Sequence, residues 1–474
     1  MNLPLPGIPL FREPVQPSAT VPPAAATSVA VMPGAPPAPD DGSVDWAQVI
    51  RLRREAAAQI SDALQNRLED AGPLTREDRL LMGRSVIRGV VRAHAEAIAA
   101  QGEALWPPEL EQQYVDVVEN AVFGYGRMQP LFEMPDVENI EINGHENVRV
   151  QYADGRRLPH APVADSDEEL VETIRFLGEA ANPSRPFDAA HPTMTLALGN
   201  RFRLHAIGFG LSYRPSITIR QHILTTVTLP DLVARGMLPE EVARFLHAAV
   251  LAHKSVVIAG DQGAGKTTFL RALIAAIPHH ERFGTIETDY ELLTHLQPGR
   301  ENVVALQARA GMGEQVNGEV IGAVTVADLI PEALRQNLAR IVVGEVRGVE
   351  AGAMFEAMQA GAGSMSTTHA HSASSIMDRL AARVAQGRVL SMPEAYRQIA
   401  HNLHLLVHIQ LTDDTWRGGL RRREVTEIRQ LTGGLESDRP STHLVYRKTP
   451  IGHEFRPDPE FLADLAPYDL AWGM

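Results

Sequence analysis

The distribution of apolar residues divides the chain into segments of different character. Residues 1–42 are rich in Pro, Ala, Ser and Thr and have no apolar periodicity. Such a segment cannot bury enough apolar surface to offset the entropy of ordering, so we predict a disordered tail. From Val44 onward, apolar residues recur every three or four positions, which is the spacing of one helix face. With two further helical stretches, this pattern predicts a small helical module over residues 43–125.

Beyond Gly124 the pattern changes to short β-rich runs between turn residues, with one helical stretch among them. These features predict an α+β domain over residues 126–221, followed by a linker over residues 222–230. Predicted strands and helices then alternate over residues 231–435. Such alternation indicates an α/β fold with a parallel sheet covered by helices on both faces. Residues 436–474 are predicted to form a C-terminal extension.

The first predicted strand of this sheet, residues 255–259, runs directly into the segment GDQGAGKTT, residues 260–268. The segment fits the pattern G-x-x-x-x-G-K-[ST], in which a glycine-rich turn points backbone N–H groups at a phosphate and a helix N-terminus adds its dipole. We therefore predict that the loop and Lys266 bind nucleotide phosphates and that the Thr267 hydroxyl binds Mg²⁺. The predicted nucleotide-binding residues are Gly260, Gly263, Ala264, Gly265, Lys266, Thr267 and Thr268. The alternative is a chance match in a glycine-rich turn.

A phosphate-binding loop does not by itself separate a motor from a kinase, a GTPase or a helicase. A second signal is Glu345, which follows Gly344 and the apolar residues 341–343. This pattern places a carboxylate at the C-terminal end of a buried strand, where ligands bind in parallel sheets. Glu345 would there contribute to the Mg²⁺ shell or orient water. Alternatively, it closes a surface turn by pairing with Arg347.

Two further polar segments lie near predicted strand ends. Glu287, Asp289 and Glu291 place three acids within the segment TIETDYEL, where they would polarise an attacking water or simply form a solvated loop. The segment GSMSTTHAH places the hydroxyls of residues 366–368 and the imidazoles of His369 and His371 on another predicted strand and its end. These groups would sense the terminal phosphate, or have only a structural role.

Composition narrows the classes of function. The 474 residues include no Cys, which excludes a disulfide framework, a thiolate metal site and a cysteine nucleophile. The net charge of −14 argues against a general affinity for nucleic acid or for an anionic bilayer. The first residues lack the basic region of a signal peptide, and no apolar run is long enough to span a bilayer. We therefore predict a cytoplasmic protein without direct membrane insertion. Only three of the 474 residues are Lys, and one of these is Lys266 of the predicted phosphate-binding loop.

In this order, the segments resemble the hexameric secretion ATPases of the type II, type IV pilus and type IV secretion superfamily. The resemblance is greatest to the CpaF-like tight-adherence (Tad/Flp) pilus branch and spans residues 45–430. It rests on the segments FGYGRMQPLF, PDVENIEING, RPSITIR, GDQGAGKTT, TIETDYEL, ARIVVGEVRGVEA, GSMSTTHAH and EVTEI. It implies a RecA-like P-loop NTPase domain, preceded by a PAS-like α+β N-terminal domain and a small helical module, with six copies in a ring.

The resemblance also assigns roles to individual residues. The implied catalytic residues are Glu287, Glu291, Glu345 and His369, and the implied metal ligands are Thr267 and Glu345. Among them, Glu291 is the favoured water-activating carboxylate. Arg203 and Arg220 match positions from which the family's N-terminal domain contacts the phosphates, a task that suits the planar guanidinium fork. A surface salt bridge is the alternative for either arginine.

Two positions depart from the family pattern. Thr288 stands where the family usually has a further acid, and Ala362 replaces a histidine common in the branch. The first change is expected to alter support for the metal, and the second a sensing contact. We still expect hydrolysis, because Lys266, Glu291 and His369 are all present.

The leading hypothesis from the sequence is a cytoplasmic homohexameric motor that uses ATP and Mg²⁺. It would associate with the inner face of the cell membrane through platform proteins and power the assembly or secretion of pilin-like subunits. One alternative is a nucleotide-gated scaffold that hydrolyses little ATP. Another is a conjugation-type transfer ATPase, although the negative net charge counts against direct DNA contact.

Overall fold

The computed structural model describes residues 44–471 apart from short gaps. The gaps are residues 72–75, 103, 182–183, 200, 312–314, 317–318, 321, 347, 349, 361–362 and 388–389. The predicted tail, Arg347 and Ala362 therefore lie outside the described residues. The chain divides into two compact units, Met1–Ile223 and Leu224–Met474.

Three helices open the first unit: α1 (Trp46–Ala71), α2 (Arg76–Ala100) and α3 (Pro108–Phe123). The apolar residues spaced along α1 are buried, among them Leu52 and Ile60, and they share one core with residues of α2 and α3. The helical periodicity of the sequence therefore marks the face that packs. Pro108 occupies the first turn of α3, where its missing N–H leaves no intrahelical bond unmade.

The rest of the first unit is α+β. After a short helix α4 (Gln129–Glu133), six antiparallel strands form a sheet in the order β3-β2-β1-β6-β5-β4, and α5 packs on it through Leu170, Ile174 and Leu177. The bounds are β1 Val137–Asn143, β2 Val148–Tyr152, β3 Arg157–His160, α5 Asp167–Glu179, β4 Thr193–Leu198, β5 Phe202–Ile207 and β6 Ser216–Gln221. This is the α+β character predicted for the region.

In the second unit, helices alternate with strands. The helices are α6 Leu229–Ala234, α7 Glu240–Leu251, α8 Lys266–Ala275, α9 Val326–Leu334, α10 Glu350–Ala360, α11 Ala373–Gln386, α12 Met392–Asn402 and α13 Pro459–Leu465. The strands of its large sheet are β7 Val256–Gly260, β8 Phe283–Glu287, β9 Val303–Gln307, β14 Arg340–Val343, β15 Met365–Thr368, β16 Leu405–Asp413, β17 Arg421–Glu436, β18 Arg439–Thr449 and β19 Gly452–Phe455. Four two-residue strands form two small ladders: β10 Arg309–Ala310, β11 Gln315–Val316, β12 Glu319–Val320 and β13 Ala323–Val324.

The large sheet has the order β19-β18-β17-β16-β7-β15-β14-β8-β9. The strands from β16 to β9 are parallel, whereas β17, β18 and β19 add to β16 as an antiparallel extension. Strand β7 is central, and alternate side chains along it enter two separate cores: Val256 and Ile258 enter one, Val257 and Ala259 the other. A strand buried on both faces explains the continuous apolar run in the sequence. The predicted α/β fold, with helices on both faces of a parallel sheet, is confirmed.

The structure differs from the predicted boundary at residue 435. Strand β17 runs through that position to Glu436 and pairs with β18 across the turn. Val445 and Phe461, from the predicted C-terminal extension, are buried in the same core as the P-loop strand. Residues up to α13 are therefore part of the second unit rather than an appendage to it.

None of the helices that the structure describes combines the length and the apolar character needed to cross a bilayer.

Candidate nucleotide-binding site

The predicted phosphate-binding loop joins β7 to α8. A Cβ atom on Gly260 would lie 2.1 Å from the carbonyl oxygen of Ile409 on the neighbouring strand, so no larger residue fits there. Gly263 and Gly265 have φ angles of +77° and +91°, in the left-handed region that glycine adopts without strain. The α8 helix begins immediately afterwards at Lys266. Backbone and helix together form the anion cradle that the motif predicts.

Lys266 is buried, and its ammonium group lies within the loop. It donates to the carbonyl oxygens of Gly260 at 2.9 Å and Asp261 at 3.0 Å, and it lies 3.3 Å from Nδ1 of His369. Because an ammonium group only donates, Nδ1 of His369 must accept, which leaves the ring proton on Nε2. A charged, buried group held against neutral acceptors is well suited to bind an anionic phosphate.

Strand β8 ends in the acidic segment, and Glu287 anchors it. The Oε1 atom of Glu287 accepts from the backbone N–H groups of Glu291 at 3.0 Å and Leu292 at 2.9 Å. The loop that these bonds close brings Oε2 of Glu291 to 3.4 Å from the hydroxyl oxygen of Thr267. Glu291 and Thr267, predicted to act on the same nucleotide, therefore meet in the structure.

Burial dominates the electrostatics of Glu287. Its side chain is 4% exposed, and the resulting desolvation raises the pKa of its carboxyl group to about 7 despite the two backbone N–H donors. The nearby Glu291 carboxylate raises this pKa further, whereas Arg271 lowers it. Glu287 is therefore a buried anchor of the loop, while Glu291 extends toward the P-loop helix.

Glu345 follows β14 at the same edge of the sheet, because the carboxyl ends of parallel strands lie together. Its Oε1 atom is 2.9 Å from Nε2 of His369, which links it through that imidazole to Lys266. The preceding residue is Gly344, where a Cβ atom would lie 3.0 Å from Cγ of Glu287. A Cβ atom at this position would therefore crowd the Glu287 side chain.

The hydroxyl groups of β15 have protein partners. Thr367 donates to the carbonyl oxygen of Gly344 at 2.7 Å, and Thr368 donates to that of Val346 at 3.0 Å. Ser366 contacts the sulfur of Met354. The two threonine bonds fix Gly344 and Val346 relative to β15, so the structure gives these hydroxyls a positioning role. Two imidazoles of the segment reach the loop: Nδ1 of His369 lies 3.3 Å from Nζ of Lys266, and Nδ1 of His371 lies 3.1 Å from Oδ1 of Asp261.

Arg203 and Arg220 lie in the first unit, on neighbouring strands. They are directly opposed in the antiparallel register of β5 and β6. Side chains at opposed positions lie on the same face about 5 Å apart at Cβ, and like charges there repel each other. A paired cationic position of this kind is stabilised by an anion.

Two arginines of the second unit that contact the site were not predicted from the sequence. Arg271, one turn after Thr267 on α8, donates to the carbonyl oxygens of Glu291 and Leu224. Arg423 of β17 donates through Nε to the carbonyl oxygen of Gly263 at 2.7 Å. Neither belongs to a local motif, and the acceptor in each case is remote along the chain. The one available signal was a charged residue within the apolar pattern of α8.

A separate charged cluster lies in the first unit. His145, Glu146 and Asp167 are close enough to hold a metal ion. However, Arg214 contacts Glu146 at 2.6 Å and Asp167 at 2.7 Å, and its hydrogen bonds lower the pKa of Glu146 to about 2. A guanidinium between two carboxylates makes this cluster an ion-pair network.

The strand, loop and helix around Lys266, with carboxylates at the same sheet edge, define a P-loop nucleotide-binding protein. The sequence profile of the family described as Type II/IV secretion system protein matches residues 185–421, which is half of the chain. The chain belongs to this family.

Individual relatives align with a larger share of this chain than the family profile does. A putative conjugal transfer protein of Mycobacterium tuberculosis is 30% identical over 331 residues, which cover 68% of this chain and 89% of the relative. An uncharacterized protein of Methanocaldococcus jannaschii is 28% identical over 347 residues, 72% of this chain, and the chain spans only 59% of that protein. The crystal structure of the VirB11 ATPase from the Brucella suis type IV secretion system is 24% identical with a TM-score of 0.33. That match covers 64% of this chain and 91% of the other.

Proposed function

We propose that the protein is a Mg²⁺-dependent ATPase of a secretion or pilus-assembly system. The observation that carries the proposal is the convergence, at one edge of the sheet, of the P-loop with Lys266 and of Thr267, Glu291, Glu345 and His369. Phosphoryl transfer to water requires groups that bind the phosphates and a group that orients the attacking water, and this arrangement supplies both.

The P-loop binds the phosphates of ATP through its backbone N–H groups and the N-terminus of α8. Lys266 exchanges its present carbonyl partners for phosphate oxygens, where its charge is better compensated. His369 contacts both Lys266 and Glu345, so a change at the phosphates reaches Glu345 through one imidazole.

Hydroxyl and carboxylate oxygen atoms lie beside the phosphate-binding loop, and such oxygen atoms are the ligands that Mg²⁺ prefers. The Thr267 hydroxyl lies 3.4 Å from a carboxylate oxygen of Glu291, and Glu345 stands at the end of β14. Thr267 and Glu345 would hold the ion, which when bound neutralises charge on the transferred phosphoryl group.

Hydrolysis requires a carboxylate that orients water and accepts its proton. Water attacks the γ-phosphorus, the bond to the β–γ bridging oxygen breaks, and the water proton passes to a carboxylate. We assign this role to Glu291, since Glu287 is buried and accepts from two backbone N–H groups. Glu287 then contributes by holding the loop that carries Glu291.

At the level of the machine, we propose a homohexameric motor of the Tad/Flp pilus branch on the cytoplasmic side of the membrane. It would engage inner-membrane platform proteins. The order of the sequence motifs supports the branch, and the opposed pair Arg203 and Arg220 supports phosphate contacts from the first unit. The name of the mycobacterial relative keeps a conjugal transfer system as the second candidate.

Phosphate release by the full chain, with ATP and Mg²⁺, tests the enzymatic part of the proposal. We expect Lys266→Ala to abolish turnover. Lys254→Ala is the matched control, because Lys254 belongs to the same unit but contacts Asp464 at 3.3 Å. Turnover that survives Lys266→Ala would exclude this site. ATP binding without turnover above a Glu345→Gln variant would instead favour a nucleotide-gated scaffold.

A further inference from the structure

Arg271 is a buried cation that the roles assigned above do not use. It lies on α8 four residues after Thr267, hence on the same face of the helix, and its side chain is 2% exposed. A guanidinium taken out of water must be matched by acceptors, so the partners of Arg271 indicate what it is there to hold.

One set of partners belongs to the acidic loop. Nε of Arg271 donates to the carbonyl oxygen of Glu291 at 2.9 Å, and Nη2 contacts the same oxygen. The side chain of Glu291 meanwhile approaches the Thr267 hydroxyl. Of two residues one turn apart on α8, Arg271 therefore holds the backbone of Glu291, and Thr267 lies beside its carboxylate, to which we assign water activation.

Another partner is at the start of the second unit. Nη1 of Arg271 donates to the carbonyl oxygen of Leu224 at 2.8 Å. Leu224 is the first residue of this unit and begins the segment that leads from the first unit to α6. Residues 224–228 are called the leading segment below.

We propose that Arg271 is a positioning residue that links the leading segment to Glu291. The guanidinium fork is planar and rigid, so a displacement of the Leu224 carbonyl shifts the donors that hold the Glu291 carbonyl. The connection is a physical one, made of a single side chain with a hydrogen-bonded backbone at each end. A movement of the leading segment would thereby change how well Glu291 is placed for hydrolysis. This inference rests on the ATPase function proposed above.

Arg271→Lys is the informative variant, because a lysine keeps the charge but lacks the fork that reaches both carbonyls. We expect kcat for ATP to fall by about tenfold or more, since small misplacements of a catalytic group have large effects. The dissociation constant for ATP should change by less than about threefold, because Arg271 does not belong to the phosphate loop.

Arg300→Lys is the matched control. Arg300 is 5% exposed and also donates to backbone carbonyls, those of Ile274 and Ala275, but at the far end of α8. A loss of kcat shared equally by the two variants would mean a general structural effect and would overturn the proposal.

Hydrogen exchange on the full chain supplies a second readout. A non-hydrolysable ATP analogue with Mg²⁺ should change the exchange of the leading segment and of residues 288–292 together in the wild type. In Arg271→Lys the response of the leading segment should be lost while that of residues 288–292 remains. A wild-type leading segment that does not respond, when residues 288–292 do, overturns the link even if the variants fail to fold.

The two proposals fail in distinguishable ways. If the wild type binds ATP but does not hydrolyse it, the ATPase function is wrong, and the exchange experiment still decides the link. If the wild type hydrolyses ATP and Arg271→Lys matches Arg300→Lys in kcat and exchange, only the link is wrong.

Discussion

Position 260 requires glycine for a steric reason. Its hypothetical Cβ meets the Ile409 carbonyl, a backbone atom that cannot move away without disturbing β16. We expect Gly260→Ala to destabilise the second unit by about 2–3 kcal/mol, the upper range for overpacking. Denaturant unfolding of the full chain measures this. Gly434→Ala is the control, since a Cβ there has no neighbour within 4 Å, and an equal loss in both variants would contradict the steric explanation.

The buried carboxyl group of Glu287 predicts a dependence of stability on pH. Its pKa is raised from 4.5 to about 7, so the folded state holds the proton more tightly than the unfolded state. The corresponding stabilisation is present below pH 4.5 and is lost as the pH rises through about 7. Glu287→Gln should remove this dependence, on the order of 3 kcal/mol between pH 4.5 and 8.

The measurement for Glu287 is the unfolding free energy of the nucleotide-free chain across that pH range. The glutamine amide oxygen can still accept from the backbone N–H groups of the loop, so the variant tests charge rather than anchoring. Parallel pH profiles for wild type and variant would show that the carboxyl group titrates normally.

Strands β18 and β19 belong to the nine-stranded sheet, and α13 packs in its core, so all three are integral to the second unit. A chain ending at residue 435 would leave β17 as an unpaired edge and remove Val445, Tyr446 and Phe461 from the core. We expect this truncation to aggregate or to unfold at a markedly lower temperature than a chain ending at Ala471, which keeps the described elements. Equal melting temperatures would restore the boundary predicted from the sequence.

The sequence predicted elements and site residues best where the determining interactions are local. Lys266 and Thr267 sit in a contiguous motif, and β7 reads as a continuous apolar run because both of its faces are buried. The end of the domain was misplaced because β17 is interrupted by register shifts and faces solvent in part, which breaks the alternation of apolar residues. Arg271 and Arg423 were missed because their partners lie far along the chain.

The predicted nucleotide-binding residues around Lys266 belong to the second unit, whereas the opposed pair Arg203 and Arg220 belongs to the first. The proposed function predicts that Arg203 and Arg220 contact the phosphates of a bound nucleotide. Substitutions of Arg203 and Arg220 test this prediction. If an arginine forms a structural salt bridge, its loss should destabilise the free protein. If it serves to contact phosphate, its loss should leave the free protein unchanged or more stable.

Arg220→Ala removes one of two like charges that face each other across β5 and β6, so we expect the free protein to be unchanged or stabilised by up to about 1 kcal/mol. The same substitution should lower ATP affinity or turnover by about tenfold, the worth of one charge-assisted hydrogen bond. Arg203→Ala should lower ATP affinity or turnover to a similar extent, and the double variant should lose less than the product of the two single effects if both bind one phosphate group. Arg157→Ala, on the edge strand β3 of the same sheet, is the control for charge. Melting temperature and ATP turnover, measured on the same full-length samples, distinguish a phosphate contact from a structural salt bridge. A drop in stability with unchanged turnover would assign the arginines to the architecture of the first unit alone.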